Sequence, residues 1–176
     1  MQLTKRIESV IRDIPDFPKP GILFKDITPI FLQPALCRDI TDAFCEPLKN
    51  NKPDAIIGIE SRGFLFGMLM AQKLEVPFVM VRKVGKLPYK TICQEYSLEY
   101  GSAKIEIHED VLQKGWKVMI HDDLLATGGT AAAAAELVKK CGAEVSGFTF
   151  VIELGFLKGK QKLETYSNNI QCLIQY

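Results

Sequence analysis

The sequence predicts an α/β protein built on a mainly parallel sheet flanked by helices. Three observations carry that prediction. From residue 55 onward, short apolar runs alternate with stretches of helical spacing, the order that right-handed strand–helix–strand crossovers produce. Hydrophobic residues make up 47% and charged residues 24% of the 176, values that suit one well-formed globular core. No internal repeat or low-complexity linker divides the chain, so residues 1–176 read as a single domain.

Leu3, Ile7, Val10, Ile11 and Ile14 recur at helical spacing and predict an amphipathic helix over residues 2–13. Pro15, Pro18, Pro20 and Gly21 end it and impose an extended, turning segment. Leu36, Ile40, Phe44 and Leu48 share one face of a second helix over residues 35–49. Ala55–Ile59 is a short apolar strand, Gly63–Leu74 a helix, and Phe78–Val81 another strand. Lys83–Ser97, KVGKLPYKTICQEYS, holds Gly85, Pro88 and little periodicity, and predicts an irregular loop long enough to serve as a lid. Ile105 and Ile107 alternate with charges like a half-exposed strand. Lys117–His121 is a buried strand, Thr130–Cys141 an alanine-rich helix, and Val145–Ile152 and Ile170–Ile174 close the series as strands.

Lys and Arg number 22 against 21 Asp and Glu, a net charge of +1, so no global basic field draws the chain to nucleic acid or a membrane surface. The opening residues MQLTKRIESVIRDI carry charges throughout and lack the apolar core of a signal peptide. The longest uncharged apolar stretch, Gly63–Ala71, falls far short of the roughly 20 residues that span a bilayer. Cys37, Cys45, Cys93, Cys141 and Cys172 are odd in number and scattered, which argues against a disulfide framework or zinc site and for free thiols in a reducing cytoplasm.

Ligands of an open parallel sheet sit beyond the carboxyl ends of its strands. The strongest such place is KVMIHDDLLATGGTAAAAAEL. A buried strand ends in Asp122 and Asp123, and Ala126-Thr127-Gly128-Gly129-Thr130 leads straight into a helix. Glycines permit the turns that aim successive backbone N–H groups at one point, and the helix start adds unpaired donors and partial positive charge. Two threonine hydroxyls add to this phosphate cradle. Neither the P-loop nor the dinucleotide fingerprint is present. Two carboxylates beside a phosphate repel it unless they hold something between, either ribose hydroxyls or Mg²⁺, and a sugar phosphate satisfies both halves. A helix N-cap by Thr127 or Thr130, with the aspartates as helix-dipole charges, is the structural alternative. At a second strand end, Glu60-Ser61-Arg62-Gly63 suits a further anionic group such as a diphosphate. A third, Arg82-Lys83, leads into the loop that carries Lys86; these cations either surround one polyanion with Arg62 or form a solvated face.

HDDLLATGGT resembles the 5-phosphoribosyl-1-diphosphate (PRPP) motif of the type I phosphoribosyltransferases. FPKPGILFKDITPI, GIESRGFLFG, VRKVGKLPYKT and YSLEYG are similar to segments of the adenine phosphoribosyltransferase family within them, and together the matches run from residue 17 to 159. The resemblance implies the type I fold with an N-terminal base-binding hood at residues 1–33, a mobile lid at 83–97, and the Mg²⁺-dependent reaction of adenine with PRPP to give AMP and diphosphate in purine salvage. By position it implies that Ala126, Thr127, Gly128, Gly129 and Thr130 hold the 5′-phosphate and that Asp122 and Asp123 meet the ribose hydroxyls. Glu60, Ser61, Arg62 and Gly63 form the diphosphate loop, with a cis peptide at Glu60–Ser61, and Arg82, Lys83 and Lys86 meet the diphosphate. Phe24 stacks on adenine while the backbone of Leu23 and Lys25 reads the base edge. Glu99 manages a proton on the purine, with Tyr100 beside it, and Glu99, Arg62 and Lys86 are the catalytic set. The Mg²⁺ is carried mainly by diphosphate and ribose hydroxyls rather than by protein ligands, and a cytoplasmic homodimer with Arg82 near the partner subunit is implied.

Plainer roles stand beside several of these. Phe24, flanked by Ile22, Leu23 and Ile27, also fits a core phenylalanine, and Glu99 a solvent-facing strand residue. His121 reads as a buried, satisfied histidine, with a shift of nearby protonation near neutral pH as the alternative. His108 reads as a surface strand residue, and Cys93 and Gln94 receive no role. The rival functions are transfer to another base and a PRPP-sensing regulator; FKDITP and YSLEYG argue against the first, and the lack of room for a DNA-binding module in residues 1–20 against the second.

Overall fold

The N-terminal helix is shorter than its periodicity predicts. The structure, a computed structural model, describes residues 2–97 and 101–176. In it α1 spans only Leu3–Glu8, and Arg12–Pro15 forms β1, paired antiparallel with β2 (Leu23–Asp26) from Arg12↔Asp26 to Pro15↔Leu23. Pro15 disfavours helical backbone at Ile14. Asp26 then secures the strand: its buried carboxylate accepts from the Arg12 guanidinium at 2.7 Å and from the Thr28 N–H at 2.9 Å. Burial alone would raise the Asp26 pKa, but these hydrogen bonds outweigh it and hold the group below its usual range. A 3₁₀ turn at Thr28–Leu32 leads into α2, Pro34–Cys45. These elements up to Ala43 form one unit of the chain, and Phe44–Tyr176 forms the other.

The second unit is a seven-stranded sheet of order β5-β6-β4-β3-β7-β8-β9. β3 (Ala55–Ile59) lies at its centre, parallel to β4 (Phe78–Lys83) and to β7 (Lys117–Leu125); β8 (Glu144–Glu153) and β9 (Ile170–Gln175) continue the parallel series. Helices α3 (Gly63–Leu74) and α4 (Gly129–Lys140) pack against it, and α5 (Gly159–Leu163) packs against α4. The fold class expected from the alternation is the one observed, because runs such as Ala55–Ile59 are buried at every position. Each fully buried Ile or Phe adds about 1.5–3 kcal/mol through area removed from water.

The stretch 83–97 departs from the expected loop. Thr91–Ser97 is strand β5, antiparallel to β6 (Ser102–His108) from Thr91↔His108 to Ser97↔Ser102. Ile92, Gln94 and Tyr96 turn inward while Cys93, Glu95 and Ser97 are exposed, so a period of two is present but written in polar residues. Only residues 84–90 remain as an irregular turn. The strand before the phosphate loop is also longer than expected. β7 runs through Asp122 and Asp123 to Leu125, because its ladder to β8 persists as far as Leu125↔Glu153.

His121 lies on β7 with no exposed surface, its Nδ1 2.9 Å from the Thr149 hydroxyl and its ring edge-on to Phe44 and Phe66. Nε2 has no hydrogen-bond partner. Burial pushes the imidazole down to about 3, with hydrogen bonding to the Thr149 backbone offsetting only part of it. The ring is therefore neutral near pH 7: it is buried as expected, though with Nε2 unpartnered, and the alternative that it shifts protonation there does not hold. An unfolded histidine near 6.5 takes up a proton that the folded one refuses, so stability falls as pH drops from 6.5 toward 3. The melting temperature of His121→Phe should fall less steeply than that of the wild type between pH 7 and 5. Parallel curves would remove His121 as the cause.

Candidate active site

The cradle is built by one change of backbone direction. β7 ends at Leu125, whose carbonyl accepts from the Leu154 N–H at 2.8 Å, and Ala126 and Thr127 lead to Gly128 at φ +76°. A positive φ at this point is what glycine supplies without steric cost. The first helical bond of α4 closes from the Ala132 N–H to the Gly128 carbonyl at 2.9 Å. No side chain caps this helix start, so the N-cap alternative for Thr127 or Thr130 does not hold; the first N–H groups of α4 open onto the loop. A cavity of about 70 Å³ lies there, lined by Asp122, Ala126 to Thr130 and Phe150 among others.

Gly159, the first residue of α5, was not singled out from sequence, yet it packs directly against the backbone of the cradle loop. A Cβ on it would stand 2.2 Å from the Ala126 carbonyl oxygen and 2.9 Å from the Gly128 nitrogen, and a Cβ on Gly128 would stand 2.7 Å from the Gly159 carbonyl. Two backbones thus meet at a distance only a pair of glycines allows. The single cue in the sequence is an isolated glycine between Lys158 and Lys160, too weak to read without its partner.

The aspartates form the second part. The Asp123 N–H donates to Asp122 Oδ1 at 2.9 Å, and Asp123 Oδ2 lies 2.6 Å from Arg62 Nε, an ion pair between a buried carboxylate and a partly exposed guanidinium. Burial, then repulsion from Asp123, pushes the Asp122 carboxyl well above the ordinary range. Burial raises Asp123 as well, and the Arg62 guanidinium pulls against it. A site so crowded with negative charge favours hydroxyl donors or a cation. Gly63 allows the close approach of α3, since a Cβ there would come within 2.8 Å of the His121 carbonyl and 3.0 Å of Asp122 Oδ1.

Glu60 and Ser61 join through a cis peptide, at the position that the sequence resemblance implies. Ser61 is exposed. The Glu60 side chain organises the next strand: its carboxylate accepts from Arg82 Nη2 and from the Lys83 N–H, both at 2.9 Å. The Arg82 bond is the main reason the Glu60 pKa is lowered. Arg82 also donates to the Lys86 carbonyl at 3.0 Å, which ties the turn that carries Lys86 back onto β4. Lys83 and Lys86 are exposed.

Glu106 is a further residue that sequence reading missed. The alternation Ile105-Glu106-Ile107 suggests a solvent-facing carboxylate, but Glu106 is only 4% exposed. It accepts from the Lys86 and Leu87 N–H groups at 3.0 Å and from the Thr91 hydroxyl at 3.1 Å. Burial would raise its pKa, and these donors together lower it. The turn between β4 and β5 is therefore folded around one buried carboxylate.

In the first unit, Leu23, Phe24 and Lys25 lie on β2. Leu23 is exposed, and Phe24 is half-buried, edge-on to Phe17 at 5.1 Å between ring centroids, so it is not a sealed core residue. Lys25 Nζ pairs with Asp13 at 2.7 Å. Glu99 and Tyr100 lie outside the described residues. His108 lies on β6, where its Nε2 meets the Pro88 carbonyl and holds the turn from the other side. A larger, open groove of about 530 Å³ follows the edge strand β9, away from the cradle, the aspartates and the cationic turn. The phosphate-sized cavity at the head of α4, where donors and carboxylates converge, is the better site despite its smaller volume.

Residues 28–174 match the family model of the phosphoribosyl transferase domain. Adenine phosphoribosyltransferase of Cytophaga hutchinsonii is 52% identical over 174 residues, covering 99% of this chain and 96% of that protein. The crystal structure of adenine phosphoribosyltransferase from Rhodothermus marinus superposes with a TM-score of 0.94 at 45% identity, covering 99% of this chain and 98% of that one. That of the Saccharomyces cerevisiae enzyme, complexed with an imino-altritol bisphosphate and adenine, has a TM-score of 0.92 at 43% identity, with 98% of each chain covered.

Proposed function

The chain belongs to the phosphoribosyl transferase family, and from that premise we infer that it transfers the 5-phosphoribosyl group of PRPP to adenine, releasing AMP and diphosphate. The observation that carries the reading is the continuity of β7 and α4: an aspartate pair, Asp123 buried and Asp122 half-buried, and an uncapped helix start lie five residues apart on one rigid strand–loop–helix, matching the hydroxyls and 5′-phosphate of a single ribose phosphate.

Asp122 and Asp123 accept from the ribose hydroxyls, and Ala126–Thr130 hold the phosphate through N–H and hydroxyl donors. Arg62, poised on Asp123, shares its guanidinium with the departing diphosphate, and Arg82, Lys83 and Lys86 complete that cationic wall. Breaking the anomeric C–O bond builds positive charge on the ribose ring while diphosphate leaves as an anion. Holding both ends of the sugar keeps the purine nitrogen in line with that bond. Closure of the 84–90 turn, with the adjoining hairpin, excludes the water that would otherwise capture the oxocarbenium-like centre. Glu99 handles the purine proton.

Mg²⁺ fits the donor chemistry of the aspartate pair, hard carboxylate oxygens whose mutual repulsion one guanidinium only partly offsets. Among the described residues no group of three or more His, Cys, Asp or Glu forms a cation cage by itself. The ion would therefore be carried mainly by PRPP's own diphosphate and ribose hydroxyls, which Asp122 and Asp123 hold in turn, and when bound it supplies charge to stabilise the leaving group. The working unit is a homodimer. Supporting this, α3 and β4 expose Leu65, Met68, Leu69 and Met80, four large apolar side chains each at least 36% open to solvent. Among the described residues no helix is long and apolar enough to cross a membrane, and Cys37, Cys93, Cys141 and Cys172 carry thiols rather than disulfides, which suits a cytoplasmic setting.

Diphosphate release from PRPP with adenine, hypoxanthine, guanine, xanthine and orotate tests the assignment; turnover with adenine alone is expected, and preference for another base would overturn it. Phe24→Ala should raise the adenine KM about tenfold through lost stacking, with the PRPP KM unchanged. If only the melting temperature falls, Phe24 is a packing residue and not a base contact.

A further inference from the structure

β5 presents three side chains inward, and the last of them, Tyr96, reaches the cradle. Its phenol oxygen accepts from the Thr130 hydroxyl at 3.3 Å, and its ring edge lies 3.5 Å from where a Cβ on Gly129 would stand. A second tie joins the same strand to the far end of α4, where Lys140 Nζ donates to the Cys93 carbonyl at 2.9 Å, but in an exposed position. Beside Tyr96, a cavity of about 240 Å³ separates β5 from Ala132, Ala133, Glu136 and Tyr166, so α4 and the hairpin are not packed solid against each other at this end. The hydroxyl pair is the polar bridge across that gap.

We propose that Tyr96 is a positioning residue that couples occupancy of the 5′-phosphate cradle to the β5–β6 hairpin, acting through the Thr130 hydroxyl. The inference rests on the reading of Ala126–Thr130 as the phosphate cradle. Thr130 has one hydroxyl proton. With no anion beside it, that proton can be given to Tyr96, whose oxygen lies 3.3 Å away. A phosphate oxygen accepts and cannot donate, so a phosphate in the cradle takes the Thr130 proton. The Tyr96 O–H then turns to donate to Thr130, and the chain phenol–hydroxyl–phosphate is polarised in one direction. Hydrogen bonds aligned head to tail on an anion strengthen one another. Phosphate binding thereby tightens the hold on β5, the strand that leads directly to Glu99.

Tyr96→Phe keeps the ring against Gly129 and removes only the phenol oxygen. Calorimetric titration with ribose 5-phosphate should show about fivefold weaker binding, the loss expected for one hydrogen bond. The PRPP KM should rise by the same factor, while the adenine KM and the melting temperature stay at wild-type values. In a Thr130→Val background the Tyr96→Phe change should add nothing. Amide hydrogen exchange across β5 should slow when ribose 5-phosphate binds the wild type and should not slow in Tyr96→Phe. Lys140→Met, which removes the other tie, should leave ribose 5-phosphate binding unchanged. Unaltered affinity in Tyr96→Phe, or an equal loss on top of Thr130→Val, would overturn the coupling alone. Failure of the wild type to bind ribose 5-phosphate would overturn the cradle reading and the coupling with it.

Discussion

Asp123→Asn should lower kcat/KM for PRPP by about a hundredfold or more while leaving the affinity for adenine within twofold. The carboxylate is buried, paired with Arg62 at 2.6 Å, and backed by Asp122. An amide in its place offers one acceptor instead of two and turns a donor toward a hydroxyl or a guanidinium. The stability effect of the neighbouring change should run the other way. Asp122 has a folded-state pKa raised well above its ordinary value by burial and by Asp123. A group raised in this way contributes its full stability below the unfolded pKa and loses it as pH rises through the folded one, so at pH 7–8 the ionised pair is a cost. Asp122→Asn removes that cost and should raise the melting temperature by about 2–4 °C for each kcal/mol relieved. The gain should fade as the pH is lowered toward 4. Loss of activity together with gain of stability is the signature of a charge held for function. Activity and stability falling together in both variants would instead make the pair a structural element.

Gly159→Ala should be nearly as damaging although the residue contacts no substrate. The added methyl would stand 2.2 Å from the Ala126 carbonyl, and both partners are backbone, so no side chain can swing aside. The cradle loop must move, and a displacement of about 1 Å in a positioned site costs on the order of a hundredfold in rate. The effect should appear in the PRPP KM and in ribose 5-phosphate affinity. A variant that melts earlier but binds ribose 5-phosphate normally would show that α5 supports the fold and not the cradle.

What could be read from the sequence follows how local each signal is. The parallel core was legible because runs such as Ala55–Ile59 are apolar at every position and are punctuated by glycine. The cradle was legible because all its donors are contiguous. β5 was hidden because its inward residues include Gln94 and Tyr96, so its alternation is not one of hydrophobicity. α1 was overextended because Val10, Ile11 and Ile14 keep helical spacing while Asp26, fourteen residues beyond its partner Arg12, draws Arg12–Pro15 into a hairpin. Glu106, Gly159 and the Arg62–Asp123 pair were beyond reach for the same reason: each acts on a backbone or charge distant in sequence, and nothing in its neighbours reports that contact. Glu99 lies outside the described residues, so its role stands on the sequence resemblance alone.

The central claim is transfer to adenine, as distinct from binding or hydrolysis of PRPP, and the stoichiometry of products tests it most directly. With Mg²⁺, PRPP and labelled adenine, AMP and diphosphate should appear together in a one-to-one ratio, and no diphosphate should form when adenine is left out. Diphosphate without AMP would contradict transfer and leave a hydrolase. Tight PRPP binding with neither product would contradict catalysis and leave a sensor built on the same cradle.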